Sequence, residues 1–206
     1  MTNGRALPYL LFFGLLSAAS GALRAAEVEV AQVRFAEQRD AAGQVWWGAA
    51  VDLEVDATGG GAAGRFTGEV AVELQWGVER AEAPNGVALY RARSRTAALE
   101  EGRARFRFYL PPTLVRRDQV ERAPRFWAVQ VTVEGEVLAD SRRSVGEGIS
   151  SPEALANFRR GVAQQAEAND GVLLPWYLTP FLSEGRGEVV TPVPMRSENI
   201  APLAAP

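Results

Sequence analysis

The chain has 206 residues, a formal net charge of −3, and no Cys, His or Lys, so all 22 of its basic residues are Arg. That inventory removes imidazole and thiol nucleophile pairs, the usual zinc, haem and iron–sulfur ligands, Schiff-base lysines and the phosphate-loop lysine. The expectation is a non-catalytic protein with no metal or cofactor, and the acidic balance does not point to nucleic acid.

Residues 1–25 read as a secretory signal peptide. Arg5 precedes an apolar run from Leu7 to Leu23, and Ala25 and Ala26 supply the small residues of a cleavage site. The run is diluted by Pro, Gly and Ser and falls short of the roughly 20 residues of a membrane span. Export to the periplasm or cell surface is therefore expected, with no stable span after cleavage. Removing Arg5 and Arg24 leaves 20 Arg against 25 acidic residues. Without Cys there are no disulfides, so stability has to come from the core.

From Glu27 to Ser150 the dominant period is two, the mark of strands with one apolar face. The first strand, 27–36, carries Val28 and Val30 and then Val33 and Phe35. That change of phase predicts a β-bulge near Ala31 or Gln32. In 45–56, Trp47, Ala49, Val51, Leu53 and Val55 alternate with outward residues that include Asp52, Glu54 and Asp56. Strand 67–79 puts Val70, Val72, Leu74, Trp76 and Val78 on one face. Strands 86–98 and 102–110 follow, the second with Ala104, Phe106, Phe108 and Leu110 inward. Trp127, Val129, Val131 and Val133 define 125–134, and Glu134-Gly135-Glu136 turns the chain into 136–145. Seven such strands within 26–148, separated by Gly- and Pro-rich stretches, predict an all-β fold: an immunoglobulin-like β-sandwich.

The period then changes. Ser150-Ser-Pro-Glu153 is a capping-box signal with Pro in the first turn, and Asn169-Asp-Gly171 is a stop. Leu155, Phe158, Val162 and Ala166 make a narrow apolar stripe on the helix between them, suited to a sheet edge or a partner. Pro175 and Pro180 keep 172–185 irregular, yet Trp176, Tyr177 and Phe181 need cover from this sandwich or another chain. Residues 149–185 thus form a C-terminal helix and aromatic docking segment, and 186–206 a flexible tail.

Arginine fills alternate positions at 91, 93 and 95 and again at 103, 105 and 107. A hairpin turning at Glu100-Glu101-Gly102 would set Arg95 opposite Arg107, and like charges across a strand pair are unfavourable. In an immunoglobulin-like order the 102–110 strand also lies beside 45–56, whose outward Asp52, Glu54 and Asp56 would answer Arg103, Arg105 and Arg107. For Arg91, Arg93 and Arg95 two roles stand: guarding a sheet edge, which is favoured, or meeting an acidic partner. The outward files Ala71-Glu73-Gln75-Gly77 and Phe126-Ala128-Gln130-Thr132 hold a single charge. Such a face is covered by the chain's own C-terminal segment or by a partner.

The segments "EVEVAQVRF", "WWGAAVDLEVDA", "GEVAVELQWGVE", "RFWAVQVTVEGEVLADS" and "LLPWYLTPF", behind a signal peptide, resemble the verrucomicrobial pilus-like protein family of Akkermansia type. The resemblance implies a secreted immunoglobulin-like protein tied to type IV pilus assembly, attachment or surface contact. It brings no active-site residues, and the missing prepilin signal sets the chain apart from a main fibre subunit. The expected function is an exported, non-catalytic interaction protein whose partners are pilus components, other proteins or itself. Its expected contacts are Gln75, Gln130, Thr132, Trp176, Tyr177 and Phe181. The alternative is an extracytoplasmic module for an anionic saccharide or acidic ligand, gripped by the forked donors of Arg91, Arg93 and Arg95. A carboxylate enzyme and a strand-donating chaperone stand behind these two.

Overall fold

The computed structural model describes residues 27–57, 65–179 and 191–195. The proposed signal peptide, Phe181 and most of the tail lie outside these residues. In chain order the strands are β1 (Glu27–Arg39), β2 (Val45–Asp56), β3 (Val70–Glu79), β4 (Val87–Thr96), β5 (Gly102–Leu110), β6 (Phe126–Val133), β7 (Glu136–Val137) and β8 (Leu174–Pro175). The helices are α1 (Pro112–Arg117), α2 (Pro152–Gln164) and α3 (Ala166–Asn169). Two antiparallel four-stranded sheets, ordered β1-β2-β5-β8 and β4-β3-β6-β7, stack into a β-sandwich.

The apolar files fill the space between the sheets. Val51, Leu53, Leu74, Trp76, Tyr90, Phe106 and Phe108 are each at most 1% exposed. Trp47 is buried, and Trp127 is half-buried against the same core. Phe35 stands edge-on to Trp76 at 5.0 Å and lies 5.7 Å from Trp127, tying β1 to the opposite sheet. The expected bulge is present, as a register shift between Val30 and Gln32 where β1 pairs with β2.

The acidic and basic files of β2 and β5 meet in register, Asp52 with Arg105 and Glu54 with Arg103. Arg105 forks onto Asp52, donating from Nε at 2.5 Å and Nη2 at 3.0 Å, and Arg34 of β1 donates to the same carboxylate at 2.8 Å. Asp52 is 7% exposed. Its burial pushes the carboxyl up, but hydrogen bonds and charge from Arg105 and Arg34 outweigh that and hold it below its ordinary value. Arg103 and Glu54, at 3.2 Å, are both mostly exposed. Arg105→Ala should therefore cost about 1–2 kcal/mol and Arg103→Ala under about 0.5 kcal/mol, read as a difference in urea midpoints. Arg107 faces Ala50, with its guanidinium 3.4 Å from the Thr191 hydroxyl.

The pairing of the two arginine strands with each other is not observed. β4 leaves for the other sheet and pairs with β3, placing Arg91 beside Gln75, Arg93 beside Glu73 and Arg95 beside Ala71. Each arginine then has a neutral or acidic neighbour across the ladder, whereas pairing β4 with β5 would have stacked guanidinium groups. The connection over residues 97–101 crosses between the sheets and is held by Thr67. Thr67 N donates to the Leu99 carbonyl at 2.8 Å, and Leu99 N donates back to Thr67 Oγ1 at 2.9 Å.

Three further departures have local causes. The 136–145 strand is interrupted: Leu138 N still donates to Val131 O, but the next bond is Val129 N to Ser144 O. Residues 139–143 loop out between them, folded by Ser144 Oγ donating to Ser141 O at 2.9 Å. Pro112–Arg117 forms a helix where the sequence showed only a break, because Pro is well suited to a first helical turn. The α2 cap is Ser151, whose Oγ accepts from Ala154 N at 3.1 Å, one residue later than the capping box placed it.

Candidate interaction surfaces

The charge-poor face of β3 and β6 is the one α2 crosses. Phe158, Leu155 and Ile149 pack with Phe126, Ala128 and Val145. The helix approaches closely because the strand offers Gly77, where an added Cβ would lie 3.2 Å from Phe158 Cε2 and 3.0 Å from Phe126 Cβ. Gly161 does the same on the helix, facing Leu89 Cδ1 at 3.0 Å. Arg159 forks onto Asp140 at 2.6 and 2.8 Å, and Leu89 N donates to Gln165 Oε1 at 3.1 Å. Gln75 is 5% exposed and donates to Glu73 Oε1 at 2.8 Å. It is not available to a partner while α2 is seated. Gln130 and Thr132 share its face and remain half-buried.

The three β4 arginines lie along an edge strand, but most of their charge is spent within the chain. Arg91 forks onto Asp170 at 2.6 Å through both nitrogens. Arg95 donates to Glu69 at 2.6 and 2.9 Å. Arg93 is exposed and faces Glu73 across the ladder. The edge itself is occupied: Asp170 bridges to Arg91, and Met195 N donates to Arg95 O at 2.7 Å.

The aromatic segment docks on its own sandwich. Leu174 and Pro175 form β8 against Tyr109 and Phe108 of β5, and Trp176–Leu178 then makes a single 3-10 turn. Leu174 and Trp176 pack on Trp46 and Tyr109, which stand on the outward files of β2 and β5. Gly48 lets the Tyr109 ring lie flat, since a Cβ there would meet Tyr109 Cε1 at 3.0 Å. Thr179 locks the turn by donating from N and Oγ1 to the Trp176 carbonyl at 2.9 and 3.0 Å. Trp176 and Tyr177 meet edge-to-face at 6.2 Å and stay half-buried, and burial pushes the Tyr177 phenol up. Leu178 is 55% exposed beside them. Trp46 and Tyr109 were not singled out from sequence. Their signal was an aromatic residue in each otherwise outward file.

A second missed feature is the buried group around Asp118. Its carboxylate, 0% exposed, accepts from the Tyr90 hydroxyl, from Arg117 Nε at 2.7 Å and from Arg80 Nη1 at 3.3 Å. Arg117 also donates to the Tyr90 oxygen. The group pins the end of α1 to β4, and none of its buried side-chain polar atoms is left without a partner. A cleft of about 790 Å³ opens elsewhere, between the start of β1 and residues 138–144. Among the described residues, no group of three or more acidic side chains could hold a metal ion, and no helix is long and apolar enough to cross a membrane.

No protein-family model matches the chain, and no curated protein matches it by sequence. Among solved structures, a crystal structure from Akkermansia muciniphila is similar at 16% identity and a TM-score of 0.49, over 62% of this chain and 77% of that one. At that distance nothing about function passes from that protein to this chain.

Proposed function

We propose that this chain is an exported, non-catalytic interaction module that meets a protein partner through the Trp176–Leu178 turn. The observation that carries the reading is the exposed Leu178, 55% accessible, held beside two half-buried aromatics on a turn fixed by hydrogen bonds. Interfaces concentrate aromatic side chains around such a core, and a rigid turn loses little entropy on binding. The resemblance of the strand and tail sequences to Akkermansia-type pilus-like proteins supports a pilus component as the partner and export as the route.

The charge-poor sheet face is a weaker surface for this role, since α2 lies across it. The β4 arginines are weaker still for an anionic ligand, because Arg91 and Arg95 already satisfy carboxylates of their own chain.

The test is co-sedimentation of the purified protein with type IV pili from the source cells. Leu178→Asp, at an exposed position, should leave the melting temperature nearly unchanged. Recovery with the pili should fall about tenfold, because a charge would be buried at an apolar contact. Equal recovery of the two proteins would remove this turn from the interface.

A further inference from the structure

The sandwich closes three of its sheet edges with its own chain. The open side of β5 receives β8, and that of β6 receives β7 and then residues 144–148. β4 is met by Asp170, Gln165 and Met195. β1 is the exception. It is 13 residues long and pairs with β2 from Glu27 to Arg39, but no described residue donates to or accepts from its other side. It contains neither Pro nor Gly. A long edge of unpaired backbone groups is a template for another strand.

The side chains of β1 say which strand fits. Before the bulge, Glu27 and Glu29 point outward while Val28 and Val30 are buried; after it, Arg34 and Ala36 point outward while Val33 and Phe35 turn in. Two copies laid antiparallel about a twofold axis between Ala31 and Gln32 keep every side chain on its proper face. An unbulged strand paired about such a point would mix its faces. In this register Glu29 lies beside the second copy's Arg34 on the outer face. On the inner face Val30 lies beside Val33, and Val28 beside Phe35. Each pair occurs twice by symmetry, and opposite-charge and apolar cross-strand pairs are the favourable ones.

We infer that β1 is a self-association edge, and that two copies of this chain join through it into one continuous eight-stranded sheet. The inference does not rest on the Trp176–Leu178 turn, which packs beside β8 at the opposite edge of the same sheet. One strand edge buries less surface than a standard interface, so the dissociation constant should be on the order of 1–100 μM. Charged outward residues and the bulge keep the edge from pairing indiscriminately.

The test uses the reciprocal charges. Glu29→Arg and Arg34→Glu each place two like-charge pairs in a homodimer, and each should weaken dimerisation roughly tenfold in sedimentation equilibrium. Mixing the two variants restores both opposite-charge pairs in the heterodimer, so the mixture should dimerise about as tightly as the unaltered protein. Arg34 also serves Asp52, so a second measurement covers misfolding of that variant. The chain has no Cys, and Gln32→Cys should oxidise to a covalent dimer while Thr113→Cys, on α1, should not. Several results would overturn the inference: a monomer at all concentrations up to about 200 μM, a dimer indifferent to both charge changes, or a mixture no tighter than its components. A monomer whose β1 edge captures a different extended peptide would overturn it as well. If Arg34→Glu does not fold, equal cross-linking at positions 32 and 113 decides against it.

Discussion

Replacing Asp118 by alanine should lower the unfolding free energy by about 3–5 kcal/mol, the range for breaking a buried ionic group by removing one partner. The carboxylate is fully enclosed and is the shared acceptor for Tyr90, Arg117 and Arg80. Its loss leaves the buried Tyr90 hydroxyl facing the Arg117 guanidinium without the acceptor they share, and Arg80 with only the longer contact to Glu82. Tyr90→Phe is much milder, at about 1 kcal/mol, because Asp118 keeps both arginines. Chemical denaturation of the three proteins checks the order.

The same group predicts stability losses at both ends of the pH scale. Burial pushes the Asp118 carboxyl up, but hydrogen bonds from Arg117 and Tyr90 and the charges of Arg117 and Arg80 win and hold it below its ordinary value. A lowered carboxyl contributes stability that is complete above the unfolded value of about 3.9 and is lost as pH falls through the folded one. Tyr90 is shifted upward, first by burial and then by the hydrogen bond and charge of Asp118. Its contribution is complete below the unfolded tyrosine value of about 10 and fades as pH rises beyond it. Melting temperatures followed against pH should show an alkaline decline that is reduced in Tyr90→Phe. An identical decline in both proteins would remove Tyr90 as its source.

Trp76→Ala should cost a similar amount, about 3–5 kcal/mol. The side chain is 0% exposed, sits centrally in β3, and is the surface on which Phe35 of the opposite sheet stands edge-on. Its removal leaves a cavity at the junction of the two sheets. Trp76→Phe should cost less than half as much. It keeps a ring against Phe35 and removes Nε1, a buried donor with no partner among the described residues. Comparable losses in the two variants would mean that Nε1 contributes to stability.

The strands of the two sheets were legible because each has a file of buried apolar residues alternating with outward ones, as in β2, β3, β5 and β6. The meeting of the acidic file of β2 with the basic file of β5 could be anticipated from those files together with an immunoglobulin-like strand order. The sheet to which β4 belongs could not. Its alternation is the same beside β3 or β5, and the choice depends on Thr67 holding Leu99 and on Asp170 and Glu69 meeting Arg91 and Arg95. Residues 139–143 obscured the last strand because a looped insertion breaks the ladder without breaking the composition. α1 was hidden by its six-residue length, too short for a helical period.

At the surfaces, sequence brought out the aromatic tail but not its seat. Trp176 finds Trp46 and Tyr109, each the one aromatic residue in an outward file. Gln75 stood on a charge-poor face expected to be covered by the chain's own C-terminal segment or by a partner, and a helix that begins more than 70 residues later crosses that face. Asp118 follows two arginines in the chain with nothing beside it to mark it as buried, and only the fold brings Tyr90 to it.

The central claim is that the two arginine files belong to different sheets, with β4 beside β3 and β5 beside β2. Because the chain has no Cys, an introduced pair reports strand adjacency without background. Directly opposite residues on antiparallel strands have Cα atoms about 4.5–5.5 Å apart, within disulfide reach. Under mild oxidation the Glu73→Cys, Arg93→Cys double variant should form an intramolecular disulfide, and the Arg95→Cys, Arg107→Cys double variant should not. A disulfide in the second protein and none in the first would put β4 beside β5 and contradict the fold on which both proposed surfaces stand.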